Sequence, residues 1–496
     1  MHVYTVVVVG SGIGGQCAAK AMLEQGINDL VILERRSFAG GTWRQNRYPG
    51  AAVDVQSPLY SIASEPFEWT RMFAEQDELE RYTEHVIESN GLAALTHLDT
   101  NVTKVEWCGD HWFISTSRGD YLARFVINAS GPLSSPVIPA YPGRHRFRGA
   151  QFHTNDWDTD YDYRGKRVAI VGSGASAAQV IPAIQPDVAH LHVFQRTPHW
   201  VMPRPDRDFT PLQRKLLKVS LIRRAVRSTI YWSLETRIVG FKYSKLGLRL
   251  VAERKARGLL KSQVTDDKLR AKITPDYTIG CKRIILSNKL YPALGSPDVS
   301  VHDREDGIAE ITETGIVTTS GARVDVDLLV WATGYDATDG LISYPVIGRG
   351  RRELAETWNP YPRAYLGTTI PQFPNLFIVT GPNTGIGHTS AIFLIEAQME
   401  YIVQAISAVT AAGAVSIEVR EDAEKAYTEK IHREMEGTVW KEGGCHSWYQ
   451  SRSGHVVAMF PGFSFTFRRW ARRFRRKDHY IQSAVTRFAV VDGAQS

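Results

Sequence analysis

A strand–glycine–helix–strand unit occurs twice in this chain, and the second copy interrupts the elements that complete the first. That pattern predicts an α/β fold of two nested Rossmann-like dinucleotide-binding domains, with a helical insertion in the second. The first unit runs Thr5-Val-Val-Val-Val9, then Gly10-Ser-Gly12-Ile-Gly-Gly15, a helical stretch to about Gln25, and Leu30-Val-Ile-Leu33 ending at Glu34. The second runs Arg167-Val-Ala-Ile-Val171, then Gly172-Ser-Gly174-Ala-Ser-Ala177, and Leu191-His-Val-Phe194 ending at Gln195-Arg196-Thr197.

Each position has a physical reason. Gly10 permits a tight turn, Gly12 lets a pyrophosphate approach the backbone, and Gly15 lets helix pack close to strand. The helix N-terminus offers N–H groups and a positive dipole end to phosphates. Gly172, Gly174 and Ala177 occupy the same places in the second unit. Glu34 stands where a carboxylate accepts hydrogen bonds from two ribose hydroxyls. The step of 24 residues from Gly10 to Glu34, taken from Gly172, lands on Arg196. A carboxylate there repels a 2′-phosphate, whereas a guanidinium binds it bidentately. The first unit is therefore expected to hold FAD and the second NADPH. Two different dinucleotides in one chain imply electron transfer between them.

The remaining chain fits a nested plan. Asp327-Leu-Leu-Val-Trp-Ala332-Thr333-Gly334 predicts a buried strand leaving the second domain at a glycine. Asn375-Leu-Phe-Ile-Val predicts another, and a helix is expected from Thr389 to Ala411. The N-terminus of that helix either approaches a flavin ring or is an ordinary βα junction. The expected domains are residues 1–140 (first part of the FAD domain), 141–335 (NADP domain, insertion at about 208–275) and 336–496 (second part of the FAD domain, with a basic amphipathic C-terminal tail).

Composition excludes other classes. Over 496 residues, 43% are hydrophobic and 22% charged, which is a globular balance and neither disordered nor fibrous. The four cysteines, Cys17, Cys108, Cys281 and Cys445, form no CxxC, so neither a metal site nor a redox dithiol is expected. Their low density excludes a disulfide scaffold, and a reducing, cytoplasmic location is expected. With no paired cysteines to receive electrons, the acceptor is expected to be dioxygen, a quinone or an organic molecule. The apolar run Val6–Val9 is too short for a secretory leader.

Between the two units lies Phe147-Arg-Gly149-Ala-Gln-Phe-His153-Thr-Asn-Asp-Trp157-Asp158. It resembles, at every defined position, the F-x-G-x-x-x-H-x-x-x-W-[P/D] fingerprint of the Baeyer–Villiger monooxygenases. From the residues alone, His153 is a linker histidine satisfied by backbone. The segment Gly40-Gly41-Thr42-Trp43, Asn46 to Gly50, Asp54, Ser57 and Tyr60 also resembles the family's flavin-contacting stretch, and Cys281-Lys282-Arg283 and Ser447-Trp448-Tyr449 are similar to family motifs. The subgroup resembled is that of the hydroxyacetophenone monooxygenases, without their N-terminal extension.

The resemblance implies an NADPH-dependent flavin monooxygenase. It would insert one oxygen atom of O2 beside a ketone carbonyl, through a C4a-peroxyflavin, to give an ester or lactone. By the same resemblance Arg283 is the arginine beside the flavin and Asp54 its carboxylate partner. Thr42, Trp43 and Tyr60 belong to the flavin-contacting stretch. Lys282 and Arg196 hold the 2′-phosphate with Thr197 beside them, and Trp448 lies near the nicotinamide ribose. Alternatives are a flavoprotein that oxygenates sulfur or nitrogen, or a non-oxygenating FAD/NADP redox protein. The sequence departs from the family at Ala51-Ala52-Val53 before Asp54 and at Arg44-Gln45 after Trp43, which bears on substrate range.

The net charge of +7 is unevenly spread. Residues 211–262 carry fourteen lysines and arginines against Glu235 and Glu253. Leu212, Leu216, Val219, Ile222 and Val226 recur at helical steps there, predicting a stripe that packs on its own domain beneath a solvated basic face, or else lies on anionic lipid. Near the C-terminus Phe467, Trp470, Ala471 and Phe474 share a helix face, and 468–477 hold seven cations and no acid. That pattern suits an anionic membrane interface; without a base-reading module, nucleic acid is not expected.

Overall fold

The computed structural model describes residues 1–483. Residues 484–496, within the stretch expected to complete the FAD domain, lie outside the described residues. The first sheet is built around Val3–Val9, paired in parallel with Leu30–Leu33 on one side and Tyr121–Asn128 on the other. Thr96–His97 extends it beyond Leu30–Leu33, and Leu376–Ile378 joins Tyr121–Asn128 from far along the chain. Side chains of Val3–Val9 alternate between two cores. Val6 and Val8 face the helices Ile13–Glu24 and Ala391–Ala411, while Val7 and Val9 face a layer containing Trp112, Phe373 and Ile378. A strand covered on both faces reads as a continuous apolar run, which is why Val6–Val9 carries no polar residue.

The second sheet lies in sequence between Tyr121–Asn128 and Leu376–Ile378. Its order is Val299–His302, His190–Phe194, Arg167–Val171, Leu328–Trp331, Ala150–His153, every pair parallel. The two chain crossings between the sheets run side by side. Val137 N donates to Gly334 O at 2.9 Å, Asp336 N to Ser135 O at 3.0 Å, and the Thr333 hydroxyl to Val137 O at 2.5 Å. The fingerprint segment sits against this junction. His153 is buried, its Nδ1 accepts from Asn155 N at 3.0 Å, and its ring meets Tyr335 edge-on.

The helix Ala391–Ala411 is long and apolar enough to cross a membrane by composition. Here it packs on Ile13–Glu24 and Ser464–Ala471 inside the first core.

Two sequence expectations are corrected. The insertion begins at Pro211–Leu217, which Thr210 and Gln213 cap reciprocally, and breaks before Ser220–Glu235. The break destroys the continuous period expected across it. Leu212, Leu216 and Val219 are exposed, and Ile222 and Val226 are only partly covered. The face that packs is set instead by Tyr231 and Leu234, which lie on Leu59, and by Arg227, which donates to the carbonyls of Pro58 and Leu59. Ser220–Glu235 thus rests on the first lobe, whereas Arg254–Gln263 packs on its own domain, with Leu260 and Val264 in the core of Val168, Ile170 and Val201. The tail is likewise no appendage. Phe467 and Ala471 are fully buried, with Trp470 and Phe474 against the same core. Arg468 and Arg472 both bind Glu400, and His479–Ser483 pairs antiparallel with Ala414–Val419. The aromatic stripe that suggested lipid faces inward because it covers Ala391–Ala411.

The lobes meet at the segment before Asp54. Tyr48 donates to Gln179 Oε1 at 2.9 Å, Gln179 Nε2 donates to Ala52 O at 2.8 Å, and a Cβ on Gly50 would stand 2.6 Å from Gln179 O. Gly50 and Gly26 both have positive φ, +78° and +74°, but Gly26 faces open space. Gly26→Ala should lose only the left-handed strain, ~1–2 kcal/mol. Gly50→Ala should lose a further ~1–3 kcal/mol by forcing the lobes apart. Thermal unfolding of the two variants measures the difference, and equal losses would contradict this contact.

Candidate active site

Asp54 is held by backbone pairing on both sides. Val53 N donates to Ala74 O at 3.1 Å, Gln76 N to Ala51 O at 2.9 Å, and Ser57 N to Met72 O at 2.7 Å. Arg283 comes from the other lobe. It lies between Ile285–Leu286, paired with Val201–Met202, and Cys281, which is disulfide-bonded to Cys445 across 164 residues.

Arg283 and Asp54 form a bidentate pair. Nε donates to Oδ2 at 2.5 Å and Nη2 donates to Oδ1. The Arg283 side chain is 46% exposed and that of Asp54 25%, so the pair borders open space. The Asp54 charge raises the Arg283 pKa further above its usual value, and the cation is permanent. Two phenols flank it, Tyr449 buried and Tyr60 partly so. Tyr60 accepts from Trp43 Nε1 at 3.1 Å, and its pKa is raised by burial and by the charge of Asp54. Tyr449 is raised by burial, with Arg283 opposing. Both therefore remain protonated at neutral pH.

A second charged group surrounds Lys282. Its ammonium lies over the Tyr277 ring at 5.1 Å, and its pKa is lowered by burial and then by Arg196. Neither Lys282 nor Arg196 has an ion-pair partner among the described residues. His199, lowered to about 4 by burial and then by Lys282, adds no charge at neutral pH. Its Nδ1 lies 3.2 Å from Ser173 Oγ, which donates to Thr197 O at 2.6 Å. Two cations with no ion-pair partner among the described residues, beside a glycine turn, suit an anion.

The glycine turns are built for close approach. A Cβ on Gly15 would stand 1.9 Å from Gly10 O, and one on Gly172 2.2 Å from Ala332 O. Gly10 and Gly172 have φ of +99° and +133°. Gly12 and Gly174 each stand immediately before a helix, and Ala177 is fully buried. Gly41, just before Thr42, crosses Gly12 so closely that a Cβ would stand 2.5 Å from Gly12 Cα. Glu34 is buried at the end of its strand and accepts from Ser11 N at 3.0 Å and Ser11 Oγ at 2.6 Å. These backbones leave room for a diphosphate and carry the donors for one, so the residues present fit two dinucleotides.

The structure thus brings together Asp54, Arg283, Tyr60 and Trp43, and separately Arg196, Thr197 and Lys282. Trp448 is 41% exposed, with its ring against Tyr449.

Sequence reasoning missed the Cys281–Cys445 bond, and the expectation of unpaired cysteines is corrected. The two residues lie far apart in sequence, and only the folding of the 440–449 segment onto 277–283 makes them neighbours. Thr278 N donates to Gly443 O at 2.9 Å in the same contact. The usable signal was position, since one cysteine precedes Lys282-Arg283 and the other precedes Ser447-Trp448-Tyr449. Thiol titration of the unfolded, unreduced chain should find two groups, Cys17 and Cys108. Four would show that the bond does not form.

Residues 7–230 match the family described as pyridine nucleotide-disulphide oxidoreductase; the disulfide lies outside that range. Over 482 residues the chain is 40% identical to a Baeyer–Villiger monooxygenase of Pseudomonas aeruginosa, covering 96% of this chain and 91% of that one. The structure of cyclohexanone monooxygenase from Rhodococcus sp. Phi1 bound to NADP+ matches with a TM-score of 0.87 at 28% identity, over 97% of this chain and 99% of that one. That of OTEMO in complex with FAD and NADP matches with a TM-score of 0.87 at 25% identity, over 96% and 99%. With identity at this level along nearly the whole of both chains, this protein belongs to the Baeyer–Villiger monooxygenase family.

Proposed function

We propose that the chain converts a ketone, O2, NADPH and a proton into an ester or lactone, NADP+ and water, with Arg283 and Asp54 at the reacting centre. The observation that carries this is the bidentate Arg283–Asp54 pair, which joins the two lobes and borders open space. Residues 1–140 and 336–496 would hold FAD, and 141–335 would hold NADPH. The Glu34 carboxylate would accept the ribose hydroxyls of FAD. Gly10, Gly12 and Gly15, with Thr42, Trp43 and Tyr60, would line that cofactor. Gly172, Gly174 and Ala177 would shape the NADP turn. Arg196, Lys282 and Thr197 would take the 2′-phosphate, and Trp448 would close over the nicotinamide ribose.

Bound FAD, once reduced by NADPH, supplies the dioxygen chemistry. The chain's own residues supply the electrostatics. Attack on the ketone carbonyl moves negative charge onto its oxygen, and Arg283 offers fixed donors to that charge without reorganising. Asp54 holds the guanidinium plane and offsets part of its desolvation. Tyr60 and Tyr449, kept protonated, add no competing negative charge beside it.

Arg283→Ala should lower ester formation by about 10²–10³-fold while NADPH still bleaches the flavin at the wild-type rate. Product analysis together with stopped-flow absorbance separates the two steps, and undiminished ester formation would refute the role. Arg196→Ala removes one charge-assisted contact. It should raise KM for NADPH by about 10–150-fold and leave KM for NADH unchanged. An equal effect on both coenzymes would contradict a 2′-phosphate site.

A further inference from the structure

Ten of the seventeen exposed large apolar side chains among the described residues fall between Leu212 and Val251. Scattered surface hydrophobics are ordinary, whereas a concentration of them marks an interaction surface. Leu221 and Trp232 are 75% and 54% exposed on the outer face of Ser220–Glu235, and Leu246 and Leu250 are exposed beyond it. Trp232 meets Phe465 at 5.8 Å, so the surface continues onto the helix Ser464–Ala471.

The same surface is cationic. Both acids of residues 211–262 are engaged: Glu235 is buried and accepts from Ser464 Oγ at 2.8 Å, and Glu253 pairs with Arg257 at 2.9 Å. Arg469 and Arg473 beside Phe465 are exposed and have no ion-pair partner among the described residues. Leucine and tryptophan standing beside unpaired arginines, with both acids of the insertion engaged, match one environment. It is the boundary of an anionic bilayer, apolar below and phosphate-bearing above. A second copy fits poorly, because an isologous contact presses this cationic surface against itself.

We propose that this surface, formed by the insertion and the Phe465 end of the C-terminal helix, docks the enzyme on an anionic lipid bilayer. The opposite face of Ser220–Glu235 packs on Val55 and Leu59, just after Asp54. The bilayer would therefore lie about one helix diameter, ~10 Å, from the segment carrying Asp54. Resting on the ketone reading, the substrates are then apolar ketones that partition into lipid.

The test is flotation of the FAD-loaded protein with vesicles of equal parts phosphatidylcholine and phosphatidylglycerol, beside pure phosphatidylcholine. Wild type should float with the anionic vesicles and release as salt is raised. L221S/W232S/L246S/L250S should bind at least ~10-fold more weakly, because each position loses apolar burial. R469Q/R473Q should lose part of the salt-sensitive binding. Since all these side chains are exposed, both variants should keep wild-type FAD content and wild-type turnover of a water-soluble ketone. Failure to float, or equal flotation of wild type and the leucine/tryptophan variant, overturns the proposal. So does a dimer in sedimentation that this variant dissolves. Wild-type protein that floats but oxidises no ketone overturns the functional reading alone.

Discussion

The Arg283–Asp54 pair joins charges from two lobes, and much of the surrounding structure serves to keep them in register. Taking a guanidinium and a carboxylate partly out of water is unfavourable, and their attraction repays it only where the geometry is good. Here both carboxylate oxygens are engaged by two nitrogens of one planar group. The pairing of residues 51–57 with 72–76 fixes one partner. The disulfide at Cys281 and the short strand at Ile285 fix the other. Gln179 ties the two halves together by bonding on both sides of Gly50.

Consecutive residues then do opposite electrostatic work. Arg283 is balanced by a carboxylate, which orients it and keeps its charge. Lys282 has no ion-pair partner among the described residues and stands near Arg196, which with burial disfavours its charge until an anion arrives. A dianionic phosphate relieves that repulsion, and its binding energy is correspondingly large. In the proposed reading, one turn of chain would serve the coenzyme with its first cation and the reacting carbonyl with its second. The Cys281–Cys445 bond holds that turn against the segment carrying Trp448 and Tyr449, so any shift of one is felt by the other.

The fold was largely legible because its signals are local. The apolar runs at Val6–Val9 and Val168–Val171, with a glycine after each, specify buried parallel strands without reference to the rest of the chain. Asp54 and Arg283 were legible only by resemblance, since nothing in either local sequence announces a partner 229 residues away. What was misread depends on tertiary packing. The spacing of Phe467, Trp470, Ala471 and Phe474 indicates an amphipathic helix but not what covers its apolar face. Periodicity cannot distinguish lipid from Ala391–Ala411. In the insertion the stripe was counted across a helix break that only the turn at Lys218–Val219 reveals.

The central claim is that Arg283 and Asp54 act as one unit, and a double-mutant cycle on ester formation tests it directly. Arg283→Lys keeps the charge but loses the fork, and Asp54→Asn keeps the size but loses the charge. If the pair is a unit, the two losses are strongly non-additive, and the double variant is about as impaired as Arg283→Lys alone. Losses that simply multiply would mean that the two residues act independently and that the pairing is incidental to the chemistry.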